Sequence, residues 1–160
     1  SQSPADVADR LNSLLIHNVR MTQFMTMFLG RYDPATRILT YTNAGHNPPL
    51  LYRPQNNGGD PFTWLHPTGA AIGLIEQSQF KTESIALQPG DVLLLYTDGV
   101  TDARNPQGED FGAARLADLL RQISNLSAQD LLRELRLRLQ DFTRNQPIED
   151  DTTIIVGKIE

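Results

Sequence analysis

Apolar and polar positions recur with a helical period at the start of the chain and with a strand period through most of its middle. Ser3-Pro4 places a capping residue before a proline at the first helical position, and Val7, Leu11, Leu14 and Leu15 then share one face. This predicts an amphipathic helix ending near Asn18. Residues 23–32 turn β-like and largely apolar, Asp33-Pro34 marks a turn, and residues 38–43 set Leu39, Tyr41 and Asn43 against Thr40 and Thr42. A hairpin accounts for both runs. Gly45-His46-Asn47-Pro48-Pro49 leads into a short strand over 50–53, and residues 54–61, with Asn56-Asn57-Gly58-Gly59, read as an exposed loop. Further strands are predicted over 62–65 and 80–87, on either side of a small-residue connection at 69–73.

The strongest strand leaves the turn at Gln88-Pro89-Gly90, runs through Val92-Leu93-Leu94-Leu95-Tyr96 and stops at Asp98-Gly99. Its unbroken apolar middle is the pattern of a central strand covered on both faces. Two helices follow. The first spans 112–123 with Leu116, Leu119, Leu120 and Ile123 inward; the second opens at Ser127-Ala128-Gln129-Asp130, a capping-box-like start, and buries Leu131, Leu135, Leu139 and Phe142. Arg133, Arg136 and Arg138, the one dense basic group, fall mostly on its wet side. A loop through Pro147 reaches Asp150-Asp151, and a β-branched strand over 152–159 follows.

Composition narrows the functional classes. The 160 residues, 39% of them hydrophobic, predict one globular unit. A net charge of -5, with basic residues dispersed among acids, argues against a nucleic-acid partner. The chain has no cysteine, so a metal would have to be held by carboxylates, histidines or carbonyls, and a reducing cytoplasm is the expected location. No apolar run approaches the roughly 18 residues of a membrane span, and the first residues lack the pattern of a signal peptide.

Asp98 follows one apolar strand and Asp150 precedes another. If these strands pair antiparallel, both carboxylates emerge at the same edge of the sheet. Two carboxylates brought together repel unless a cation, a proton or solvent compensates, and a hard divalent cation with oxygen ligands is the natural compensator. The plainer reading stays open at this point, because Asp-Gly after a strand also serves turns and Asp-Asp before one also forms solvated loop ends. A calcium loop fits less well, since no closely spaced Asp/Asn ladder with a terminal Glu occurs.

Four strings occur in order: Tyr41-Thr42-Asn43-Ala44-Gly45-His46-Asn47-Pro48-Pro49-Leu50, Leu87-Gln88-Pro89-Gly90-Asp91, Leu94-Leu95-Tyr96-Thr97-Asp98-Gly99-Val100-Thr101-Asp102-Ala103-Arg104-Asn105, and Asp150-Asp151-Thr152-Thr153. Together they closely resemble the SpoIIE-like branch of the PPM, or type 2C, protein serine/threonine phosphatases, over nearly the whole chain. The resemblance implies an α+β fold, mainly antiparallel β-sheet packed with helices as part of an α/β/β/α sandwich. It implies Asp98 and Asp150 as metal ligands. Asp151 would order the loop or support the ligands from behind, beside Gly99, and Asp102 matches an acidic position that in some relatives helps hold an additional metal. His46 belongs to a structural string, His17 to a helix surface and His66 to a loop.

The same resemblance implies two Mg²⁺ or Mn²⁺ ions about 3.5 to 4 Å apart and in-line attack of water on phosphoserine or phosphothreonine, with no nucleophilic side chain beyond the ligands. The implied substrate is a phosphorylated protein, often an anti-sigma-factor antagonist, in bacterial signalling. An upstream sensory or receiver domain often accompanies the family. The family's bridging aspartate, in an Asp-x-x-Gly-His-Gly string, does not occur in these 160 residues. The expectation is therefore an incomplete domain with weak metal binding and little activity by itself, and with an uncovered sheet edge or apolar face that invites self-association, a homodimer being one form of it. The alternative is a non-catalytic regulatory or protein-interaction module, a pseudophosphatase.

Overall fold

A computed structural model describes residues 2–18, 24–55, 58–144 and 151–160. Along the chain the elements are α1 (Pro4–Asn18), β1 (Met27–Asp33), β2 (Ile38–Ala44), β3 (Leu50–Tyr52), β4 (Phe62–Trp64), β5 (Glu83–Ala86), β6 (Val92–Tyr96), α2 (Asp98–Thr101), α3 (Gly112–Ile123), α4 (Ala128–Thr143) and β7 (Ile154–Lys158). The chain is α+β, with every strand pair antiparallel. It divides into two compact units, Ser1–Pro48 with Leu65–Leu87, and Pro49–Trp64 with Gln88–Glu160. Among the described residues no helix is long and apolar enough to cross a membrane.

The first unit holds the sheet β1-β2-β5 and helix α1. The expected hairpin joins β1 to β2, from Met27 opposite Ala44 to Asp33 opposite Ile38, and its turn is fixed by the Asp33 carboxylate accepting the Ala35 N–H at 2.9 Å. The predicted start of β1 at residue 23 lies outside the described residues, as do positions 56, 57 and 145–150 of the two predicted loops. Helix α1 does not bury the predicted leucine face. Its inner stripe is Ala5, Ala8 and Asn12, with Leu11 and Leu15 packed at the margin, and Leu14 is 58% exposed. Small side chains allow the helix backbone a close approach to Ala44, Ile72 and Phe80, and the stripe is centred on them rather than on the bulkiest residues. Asn12 is buried and satisfied: its Oδ1 accepts the Gly73 N–H at 2.7 Å, and its Nδ2 donates to the Ile75 carbonyl at 3.0 Å.

Asn43 does the same work at the end of β2. It is fully buried; its amide donates to the Leu65 and His46 carbonyls, and its Oδ1 accepts the His46 N–H at 2.8 Å. These bonds close the Gly45 turn on itself, because a buried amide left without partners would cost a few kcal/mol. The string around Asn43 is thus explained by folding.

The second unit holds the sheet β4-β3-β6-β7. Val92, Leu94 and Tyr96 point into a core with Leu50 and Tyr52, closed by Leu116, Leu119, Leu120 and Ile123 of α3 and Leu131, Leu135 and Leu139 of α4. These positions match the helical periodicity read from sequence. Phe142 is half-buried rather than buried, with its ring edge-on to Phe111 at 5.1 Å and under the Arg115 guanidinium at 5.2 Å. Strand β6 is central, as expected, but its two faces differ. Leu93 and Leu95 are half-buried, because both helices pack on the Val92 face. Helix α4 begins at Ser127, whose hydroxyl accepts the Asp130 N–H at 3.1 Å and donates to the Asp130 carboxylate at 2.8 Å. The first of these is the N-cap half of the capping box its sequence predicts; in the second the Asp130 carboxylate takes the Ser127 hydroxyl.

Candidate metal centre

Strands β6 and β7 pair antiparallel from Val92 opposite Lys158 to Tyr96 opposite Ile154. The strand ending before Asp98 and the strand beginning after Asp150 therefore share one rim of the sheet. The pairing continues past the last ladder position. The Thr97 N–H donates to the Thr153 carbonyl at 3.1 Å, the Thr153 N–H donates to the Thr97 hydroxyl at 2.9 Å, and that hydroxyl donates to the Asp151 carbonyl at 2.9 Å. One residue further, the Thr152 hydroxyl reaches the Gly99 carbonyl at 3.5 Å. Asp150 itself lies outside the described residues.

Asp98 is exposed and opens α2, a single helical turn. Its Oδ1 accepts the N–H of buried Gly99 at 3.1 Å, while its backbone carbonyl accepts the Asp102 N–H at 2.8 Å and the Thr101 hydroxyl at 3.2 Å. The second carboxylate oxygen has no protein partner among the described residues. Asp102 caps the end of α2, exposed, with its Oδ1 accepting the Thr101 hydroxyl at 3.1 Å. Closing this turn gives it a structural task whether or not it also meets a cation. Asp151 is exposed and contributes its backbone carbonyl to the Thr97 clasp.

The donor set suits a hard divalent cation: exposed carboxylates and backbone carbonyls at a rim, with no competing thiolate in the sequence. Among the described residues no three acidic or histidine side chains converge on one point. The histidines stand apart. His17 Nδ1 meets the Ser13 carbonyl at 2.7 Å, His46 Nδ1 meets the Thr26 hydroxyl at 3.2 Å, and His66 is exposed. Sequence reasoning passed over Thr97, Thr152 and Thr153, whose hydroxyls and backbone hold the rim together. Their only signal was position, immediately beside the two candidate ligands.

The signature of the Stage II sporulation protein E (SpoIIE) family matches residues 1–160. Protein IcfG of a Synechocystis strain is 38% identical over 136 residues, covering 84% of this chain and 20% of that protein. Phosphoserine phosphatase RsbU of Bacillus subtilis is 31% identical over 156 residues, covering 96% of this chain and 44% of RsbU. The chain thus spans less than half the length of these relatives. Among solved structures, the SiaA-PP2C domain of Pseudomonas aeruginosa superposes with a TM-score of 0.85 at 22% identity, covering all of this chain and 62% of that one. Its antiparallel sheets and helices share the fold of that PP2C domain, and by its sequence the chain belongs to the SpoIIE family.

Proposed function

We propose that this chain is the C-terminal part of a metal-dependent phosphatase that removes phosphate from phosphoserine or phosphothreonine on a protein, with an anti-sigma-factor antagonist as the substrate class. The observation that carries the reading is the Thr97 clasp, which ties the residue before Asp98 to the segment that follows Asp150. Asp98 and Asp150 are the proposed ligands, with Asp102, Asp151 and Gly99 supporting the rim. Asp98 keeps one carboxylate oxygen engaged by the Gly99 N–H, which fixes the group's orientation and leaves the other oxygen available. Mg²⁺ or Mn²⁺, when bound, would supply positive charge for the phosphoryl oxygens and a lowered pKa for water. The rim contains no activated serine, cysteine or histidine among the described residues, which suits a reaction without a covalent phosphoenzyme.

A bridging aspartate from an Asp-x-x-Gly-His-Gly segment completes such a site in the family, so these 160 residues alone are proposed to bind metal weakly and turn over slowly. The test compares this chain with a longer one that includes such a segment, titrating Mn²⁺ calorimetrically and following phosphate release from a phosphoserine protein. Asp98→Asn is expected to weaken Mn²⁺ binding by at least the roughly 10- to 100-fold seen when mere supporting partners of a metal site are removed. Unchanged Mn²⁺ affinity in Asp98→Asn would sink the metal assignment and favour a non-catalytic interaction module.

A further inference from the structure

The third sequence string runs past Asp102 to Ala103-Arg104-Asn105, and metal chemistry leaves that tail unexplained. In the structure the tail opens a closed loop over residues 103–111. The Phe111 N–H donates to the Ala103 carbonyl at 2.8 Å, and the Asn105 N–H donates to the Glu109 carbonyl at 3.0 Å. Ala103 and Phe111, the two ends, are buried in one core with Val100 of α2. The loop therefore starts one residue after Asp102 and returns to the core it left.

Side chains lock it at both ends. Asn105 Oδ1 accepts the N–H groups of Gln107 at 3.0 Å and Glu109 at 2.9 Å, while its Nδ2 donates to the Glu109 carboxylate at 2.9 Å. Arg115, in the first turn of α3, donates from one guanidinium nitrogen to the Asp110 carbonyl and, at 3.3 Å, to the Phe111 carbonyl. Its other terminal nitrogen reaches the Glu109 carboxylate at 3.4 Å, and the guanidinium lies over the Phe142 ring at 5.2 Å. A rigid fork of donors can serve these acceptors together, which a single ammonium cannot match. All of these contacts lie within this chain.

The lock meets the rim at Asp102. The Asp102 N–H donates to the Asp98 carbonyl at 2.8 Å, and the next carbonyl along the chain, that of Ala103, is the one held by Phe111. The exposed Asp102 carboxylate takes the Thr101 hydroxyl at 3.1 Å, so the bonded backbone on either side sets where it points.

We infer that the loop, locked by Asn105 and Arg115, positions the Asp102 carboxylate at the rim, and that Arg115 is a positioning residue for cation binding through Asp102. That a cation is what Asp102 meets rests on the proposed function; the hold of the lock on the Asp102 turn does not. Removing the Arg115 charge would by itself favour a nearby cation. A loss of Mn²⁺ affinity in Arg115→Met has to come through geometry.

The test has two arms, both on the 160-residue chain. In EDTA, amide exchange followed by NMR should quicken about tenfold at Asp102 and Phe111 in Arg115→Met, the effect of losing about one charge-assisted hydrogen bond, while the amides of Leu120 and Leu135 keep their rates. With Mn²⁺ added and the free ion counted by EPR, Arg115→Met is expected to bind roughly tenfold more weakly, the lower end of the loss when a supporting partner of a metal site is removed. Asp102→Asn should bind as weakly, and the double variant no more weakly than Asp102→Asn, because Arg115 acts through that carboxylate. Arg115→Lys, which keeps the charge without the fork, should recover part of both effects. Asn105→Ala opens the loop from its other end and should repeat them; it carries the test should Arg115→Met unfold. Unchanged exchange at Asp102, unchanged Mn²⁺ affinity in Arg115→Met, or losses that add in the double variant would overturn the inference. Mn²⁺ binding that ignores Asp98→Asn counts against the proposed function alone, and the exchange arm still decides whether the lock holds the Asp102 turn.

Discussion

The hydroxyl of Thr97 donates to the backbone carbonyl of Asp151 while accepting the N–H of Thr153, both at 2.9 Å. A single side chain thereby holds two backbone groups of the segment that follows Asp150. Thr97→Val keeps the shape and removes both bonds. Water can replace them at this partly exposed site, so a loss of about 1 kcal/mol in urea unfolding is expected. The larger effect should be local, as faster amide exchange at Thr153 and weaker Mn²⁺ binding, with both restored in Thr97→Ser. Normal Mn²⁺ affinity in Thr97→Val would show that the clasp does not position the ligands.

Asp91 is a second polar group whose burial defines its role. Its side chain is 1% exposed and takes the Arg53 Nε at 3.0 Å, the Arg53 Nη2 at 2.7 Å and the Gln88 N–H at 2.9 Å. Asp91 is the buried member, so Arg53→Met, which leaves that carboxylate without its guanidinium, is expected to cost about 3 to 5 kcal/mol. Asp91→Ala should cost less, because the Arg53 side chain is 25% exposed and stays within reach of water, and the double substitution should cost less than the sum of the two. Strict additivity in the double-mutant cycle would deny the coupling.

Which of these features the sequence could reveal follows from how each is encoded. The β6–β7 rim was legible because an apolar run and a β-branched run each end at an aspartate, and antiparallel pairing then leaves few options for where the ends meet. The helical core positions of α3 and most of those of α4 were legible from their spacing. The face of α1 was misread, since periodicity weights Leu14 above Ala8 while close helix packing favours the smaller residue. Asn12, Asn43 and Asp91 count as polar on any hydropathy scale, and only tertiary partners distant in sequence make their burial tolerable.

Tyrosine ionisation gives a prediction for alkaline solution. Burial first, and then the 2.6 Å bond its phenol donates to Glu83, hold the Tyr41 pKa well above its ordinary value near 10; burial raises that of Tyr96 as well. A phenol kept neutral in the folded chain contributes stability that is fully present below the unfolded pKa. That stability is lost as pH rises from there through the folded value. Unfolding free energy should therefore decline from about pH 10 upward, and Tyr41→Phe, with one such group fewer, should decline less steeply. Parallel curves for the two proteins above pH 10 would show that Tyr41 is not a source of the loss.

Gly45 offers the sharpest steric test. Its φ of +66° lies in the left-handed region, and a Cβ added there would sit 2.9 Å from the Ala71 nitrogen and 3.1 Å from its Cα, both backbone atoms that no rotamer change can move aside. Gly58 has a φ of +87° but, among the described residues, nothing within 4 Å of the same hypothetical atom. Alanine at Gly58 thus meets backbone strain alone, expected at about 1 kcal/mol. Alanine at Gly45 meets that strain and must also displace the Ala71 backbone, so a loss of about 3 kcal/mol is expected. The Asn43 amide, bonded across the Gly45 turn to the Leu65 carbonyl, would be disturbed with it. Chemical denaturation of the two variants side by side measures the difference, and equal losses would mean that the turn yields without resistance from Ala71.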